Sequence, residues 1–206
     1  ERIERVLYAV ADELVTTLPP KLAAPIVVSH TRGNPVALYQ RGAAGEYQIR
    51  LHASGTAWPL YVYEFAHELC HVMSNHDEHA DVKRHNQWFE ETLCETASLY
   101  ALQAVAKTWT LAAADETQAA LAPRLRRFYD NLLAERTRDL PTGATLPRWV
   151  GDNVDRLRAD PYLREKNDLV AKQLLPFFQH DPRRWRALAH LNLHVGDAHA
   201  AFADYL

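Results

Sequence analysis

Apolar residues follow a helical period at the start of the chain, switch to a strand period, and then return to helices for the rest. Ile3, Val6, Leu7, Val10 and Leu14 share one helix face, and the pattern stops before Pro19-Pro20. Short apolar runs at 26–28 and 36–39, separated by Gly33-Asn34-Pro35, predict two strands. The run 47–52 alternates apolar and polar residues, so it predicts a third strand with one buried face. The segment 58–75 lacks Gly and has Pro59 only at its start, where a helix tolerates it; Val62, Phe65, Ala66, Leu69 and Val72 form its apolar stripe. A second long helix is predicted over 86–108, with Leu93, Ala97, Tyr100, Ala101 and Ala104 as its stripe. Beyond Trp109 the chain reads as helices over 117–138 (interrupted at Pro123), 148–159, 161–175, 182–194 and a short 198–206, with a loop at Pro141-Thr142-Gly143 and Pro147.

This order predicts an α+β fold. A small N-terminal sheet and two long helices occupy residues 1–110, and an all-helical part follows over 111–206, the two forming one compact unit. The 206 residues are 48% hydrophobic, enough for a core of that size. The net charge of −3 gives no reason to expect a nucleic-acid partner. No stretch approaches a membrane span and no signal peptide is visible. The oligomeric state leaves no trace in the pattern.

The chemistry is concentrated in the first long helix, at His67-Glu68-Leu69-Cys70-His71. Residues four apart share a helix face, so His67 and His71 can present two imidazoles to one metal ion. Zinc takes such ligands and, in catalytic sites, keeps a position open for water. Glu68 stands one step round the helix, where it can accept that water's proton. With 11 His in the chain, an accidental H-E-x-x-H has a probability on the order of a few per cent, so the motif carries weight by itself.

Two histidines hold zinc weakly, and the second helix offers carboxylates at Glu90, Glu91 and Glu95. Glu91 and Glu95 share a face. Glu91 is therefore the expected third ligand, and Glu95, one turn on, the expected acceptor for the other ring N–H of a ligand histidine. Glu90 is the rival ligand.

An HExxH helix followed by a glutamate on a downstream helix resembles the gluzincin metallopeptidases. Glu90-Glu91-Thr92-Leu93-Cys94-Glu95 fits their second motif, and Trp88, three residues before Glu91, is similar to the Trp-x-x-Glu of aminopeptidase-type members. The likeness covers about a quarter of the chain, from near Tyr47 to Ser98. The metzincin extension is absent, since Ser74 and Asp77 stand where its Gly and third His belong. The resemblance implies that substrate adds as an extra strand to a sheet edge near the site, either 47–53 or 36–40. It also implies an oxyanion-stabilising residue downstream of the ligand glutamate, for which Tyr162, His190 and His194 are available.

Three further features bear on the reading. His76, His79 and His85 lie with Asp77, Glu78 and Asp81 between the two helices, but at no compact ligand spacing, and read as a solvated loop. Cys70 and Cys94 each follow a candidate ligand by three residues, so a shared metal brings them together, as a disulfide or as buried thiols. A bridge, together with a first residue that is Glu1 rather than Met, would favour a periplasmic or secreted protein over a cytoplasmic one.

The sequence thus predicts a gluzincin-like zinc metallopeptidase that binds one Zn2+ through His67, His71 and Glu91. Glu68 is its general base toward a metal-activated water, and a peptide or protein its substrate. Two alternatives stay open: a regulatory or binding protein with little hydrolytic activity on the same scaffold, and a structural zinc protein with four closed ligands.

Overall fold

The computed structural model describes residues 2–15, 22, 24–78, 84–194, 196 and 199–202. The first helix, α1 (Arg2–Val15), buries Val6, Leu7, Val10 and Leu14. Three strands follow: β1 (Ile26–His30), β2 (Val36–Ala37) and β3 (Tyr47–Leu51). The sheet order is β1-β3-β2. β1 runs parallel to β3, with Ile26 opposite Tyr47, and β2 runs antiparallel to it, with Ala37 opposite Ile49. β3 is therefore the central strand, and of the two candidate edges, 36–40 holds the true one.

The alternation expected in β3 is present: Ile49 and Leu51 are buried and Arg50 is exposed. The buried face meets α2 (Trp58–Met73), which begins with Pro59 in its first turn. Glu64 on α2 accepts from the backbone N–H of both His52 and Ala53, at 2.8 and 2.9 Å, and ties the helix to the end of β3. The predicted stripe Val62, Phe65, Ala66, Leu69 and Val72 is buried, but so are Tyr61, Tyr63, Cys70 and Met73. α2 is covered on nearly every side.

α3 (Gln87–Ala112) runs through the middle and packs against α2, α4 (Glu116–Ala134) and α6 (Arg164–His180). Its predicted stripe is buried except for the partly buried Ala104, and Leu99, Leu102 and Val105 are buried as well. One apolar core extends from Val6 to Leu191, so residues 1–110 and 111–206 share it. A 3-10 turn, Arg136–Arg138, and helix α5 (Leu146–Ala159) link α4 to α6.

Several boundaries differ from the pattern. Pro123 does not interrupt its helix: α4 runs through it, with Leu121, Ala122 and Leu125 buried on either side. That packing offsets the backbone bond that proline removes. α6 starts at Arg164 and continues past Pro176 to His180, and the expected helix at 182–194 is a 3-10 stretch, Pro182–His190. Most of the expected 198–206 helix, and His79 and Asp81, lie outside the described residues.

The mixture of a small three-stranded sheet and a helical majority agrees with an α+β fold. Among the described residues, no helix is long and apolar enough to cross a membrane.

Candidate metal centre

α2 carries His67, Glu68 and His71 to one wall of a cleft of about 440 Å3, and α3 brings Glu91 to the same cleft. That volume is within the range of small-ligand sites. The rings of His67 and His71 lie 5.1 Å apart between centroids. The Oε2 atom of Glu91 stands 3.4 Å from Nε2 of His67 and 3.6 Å from Nε2 of His71. These separations are longer than an ordinary N–H···O hydrogen bond of about 2.7–3.2 Å. They match the edge of a tetrahedron around zinc, since donors about 2.0–2.2 Å from the ion lie roughly 3.4 Å apart. The donor chemistry also fits zinc: two imidazole nitrogens and one carboxylate oxygen.

Glu90 and Glu95 take roles other than those expected. Glu90 is buried, and its Oε1 receives the Nδ1–H of His71 at 2.7 Å. Its Oε2 receives Arg84 Nη1 at 3.0 Å and Asn192 Nδ2 at 2.8 Å. Glu90 therefore faces away from the cleft and fixes the His71 tautomer that leaves Nε2 free. Glu95, expected to hold a ligand histidine, instead accepts from Tyr63 Oη and, at 2.7 Å, from Arg138 Nη1. The reason is rotational: each residue on a helix advances about 100°, so Glu90 and Glu95 point to opposite sides of the Glu91 direction.

The electrostatics follow this arrangement. Burial works against charge on both carboxylates, but the nearby imidazoles of His71 and His67 outweigh it at Glu91. Its carboxyl is held well below the usual range. Glu90 is likewise lowered, against burial, by His71 and Arg84. Burial would push the two imidazoles down. The neighbouring Glu91 and Glu68 carboxylates raise His67, and the Glu91 and Glu90 carboxylates raise His71 well above its ordinary value.

A second donor set touches this one. Ligand atoms of His67, His71 and Cys94 all lie within 4.8 Å of one another. Cys94 and Cys70 are free, fully buried thiols in hydrogen-bond contact. They face each other as the spacing implied, without a bridge. Burial first, then Cys70 and the glutamates, push the Cys94 thiol well above its ordinary range, so it keeps its proton.

Glu68 is buried, and its Oε2 accepts the backbone N–H of Ala37 at 2.6 Å. Leu38 N–H points to Gln48 on β3, so the alternating Ala37 N–H points away from the sheet, at its open edge. The strand edge, the acidic side chain and the two histidines thus line one cleft.

The far wall is formed by residues that no local pattern marks. Tyr162 lines the cleft, 63% exposed, with its hydroxyl accepting from Gln87 Nε2 at 2.9 Å. Arg164 also lines it and reaches Tyr63 Oη at 3.4 Å. His190 and His194, the other two oxyanion candidates, are exposed and do not line it. Beneath the cleft Arg138, 1% exposed, meets Glu95 and, at 3.4 Å, Asp168. Burial and the nearby Glu95, only partly offset by Arg138 and Arg164, raise the Asp168 carboxyl to about 7.

The loop histidines do not behave as one group. His85 is exposed and packs against His199. His76 is only 3% exposed and lines the cleft, so the solvated-loop reading fails for it. Neither of its ring nitrogens makes a well-formed hydrogen bond, although the Leu38 backbone lies beside the ring. A buried polar group left so costs about 1–3 kcal/mol.

Comparison with known proteins identifies no relative: no family model, curated protein or solved structure matches the chain.

Proposed function

We propose that this chain is a zinc-dependent hydrolase of peptide bonds, with His67, His71 and Glu91 as the ligands of one Zn2+. The observation that carries the reading is the position of Glu91 Oε2, 3.4 and 3.6 Å from the two Nε2 atoms, with Glu68 in the same cleft. When bound, the ion supplies Lewis acidity toward a carbonyl oxygen and lowers the pKa of water. The remaining work falls to the chain. Glu68 accepts a proton from the attacking water as the new C–O bond forms, and passes it to the leaving amine as the C–N bond breaks. Glu90 holds His71 in the ligating tautomer through Nδ1. The open edge of β2 supports an extended peptide as substrate, since a peptide can add there as a further strand.

The Cys94 contact supports a second ligand set, His67-His71-Cys94, belonging to a closed structural site. Glu91 is preferred because it lines the cleft together with His67, Glu68 and His71, whereas the fully buried Cys94 does not. The test of the function is digestion of a mixed peptide library by the zinc-loaded chain, with and without a chelator. Cleavage that disappears on chelation and returns with zinc is expected. No cleavage by a fully zinc-loaded chain would favour the binding-protein alternative.

A further inference from the structure

His76 follows a helix ending of the common left-handed type. After Met73, Asn75 adopts a left-handed backbone with φ 56°, a conformation that Asn tolerates better than most residues. The chain turns back there, and His76 N–H bonds to the carbonyl of His71 at 3.2 Å. The turn is fixed from three directions. Asn75 Nδ2 donates to Leu191 O at 2.6 Å, Asp77 pairs with Arg41 at 2.6 Å, and Arg84 Nη2 donates to His76 O at 3.2 Å. The imidazole is thereby placed between Tyr39, 5.3 Å away between ring centroids, and His71, at 6.0 Å.

Other buried polar atoms lack partners too, on Asn86, Trp88, Arg158 and Trp185. Of these, His76 is the one that lines the cleft. Asp77 stands 3.9 Å from Nδ1, beyond hydrogen-bond reach. An imidazole has a donor and an acceptor to satisfy, or two donors when charged. An anchored turn that leaves neither nitrogen in a well-formed hydrogen bond, with the Leu38 backbone beside the ring, keeps an N–H of the imidazole available to a molecule that enters the cleft.

We propose that His76 is a substrate-binding catalytic residue that donates a ring N–H to the oxygen of the scissile carbonyl as that oxygen takes on negative charge. The inference rests on the metallopeptidase reading above, because it places the carbonyl beside His67, His71 and Glu91. It assigns the oxyanion donor to a residue just after the HExxH helix, whereas the family resemblance pointed downstream to Tyr162, His190 or His194.

The test uses the full chain loaded with zinc, as wild type, His76→Ala and His76→Gln. Two probes are compared: a phosphinic pseudodipeptide, whose oxygens occupy the place of the developing oxyanion, and a small mercaptoacyl peptide, which needs no donor there. All three proteins are expected to hold one zinc. His76→Ala should lose about 10- to 100-fold in affinity for the phosphinate and less than about 3-fold for the thiol, with Gln restoring part of the loss. Equal effects on both probes, or no effect on either, would overturn the proposal. Loss of zinc from His76→Ala would also overturn it, making His76 a ligand. A wild-type chain that takes up no zinc would show instead that the metal-centre reading itself fails.

Discussion

His71 and Glu90 are joined through Nδ1 at 2.7 Å, and that bond decides which nitrogen of the ring meets Glu91. With Nδ1 committed, Nε2 is the atom that stands 3.6 Å from Glu91 Oε2. Two glutamates adjacent in sequence thus occupy opposite edges of one imidazole, one orienting it and the other sharing its ligand face.

Metal content separates these roles. Glu91→Ala should lose stoichiometric zinc. Glu90→Ala should keep the site but weaken it by about 10- to 100-fold, the usual effect of removing a partner behind a ligand histidine. Cys94→Ser should bind as the wild type does. Zinc lost from Cys94→Ser and kept by Glu91→Ala would transfer the third ligand to the thiol. Metal analysis after dialysis against buffered zinc reads all three.

Zinc uptake should also release protons. Against the opposing effect of burial, the Glu91 and Glu68 carboxylates raise His67, and the Glu91 and Glu90 carboxylates raise His71. Both imidazoles must be neutral to ligate, so zinc affinity should fall steadily as pH drops below the raised values. Calorimetric titration in buffers of different ionisation enthalpy, near pH 7, is expected to show proton release. A pH-independent affinity would contradict the electrostatics described.

Arg138 is the cation beneath the cleft, facing Glu95 at 2.7 Å and Asp168 at 3.4 Å. Arg138→Ala leaves two buried carboxyls without it, and should cost about 3–5 kcal/mol in urea unfolding. Asp168 adds a pH signature. Its folded pKa, raised to about 7, exceeds its unfolded value of about 3.9, so the folded state holds the extra proton between those values. Its contribution to stability therefore falls as pH rises from about 4 to about 7, and Asp168→Asn should flatten that slope.

The thiols give a simpler expectation. Denatured, unreduced protein should titrate two free thiols, from Cys70 and Cys94, whereas the native protein should react slowly because both are fully buried. Absence of titratable thiol would mean a bridge.

Much of the site was visible in the chain because it rests on local periodicity. The spacing that put His67 and His71 on one face depends only on helix geometry, and the apolar stripes of α2 and α3 fixed the helices that carry them. The division of labour among Glu90, Glu91 and Glu95 depends on how α3 crosses α2, which spacing does not encode. Glu95 was assigned to a histidine by its face alone, yet Tyr63 and Arg138 claim it, the latter 43 residues away. The loop histidines match no compact ligand spacing, so the sequence alone reads His76 as solvated. Its burial follows the backbone reversal at Asn75, which is anchored by bonds from Asn75 to Leu191 and from Arg41 to Asp77, partners remote in sequence. Tyr162 and Arg164 reach the cleft only because α6 packs on α3.

The most direct test of the central claim is Glu68→Gln measured beside wild type for zinc content and peptide hydrolysis. The substitution keeps the side chain's size and removes its capacity to take a proton. The account predicts one zinc in both proteins, and a fall in hydrolysis of several orders of magnitude in the variant. Hydrolysis retained at the wild-type rate by a zinc-loaded Glu68→Gln protein would contradict it.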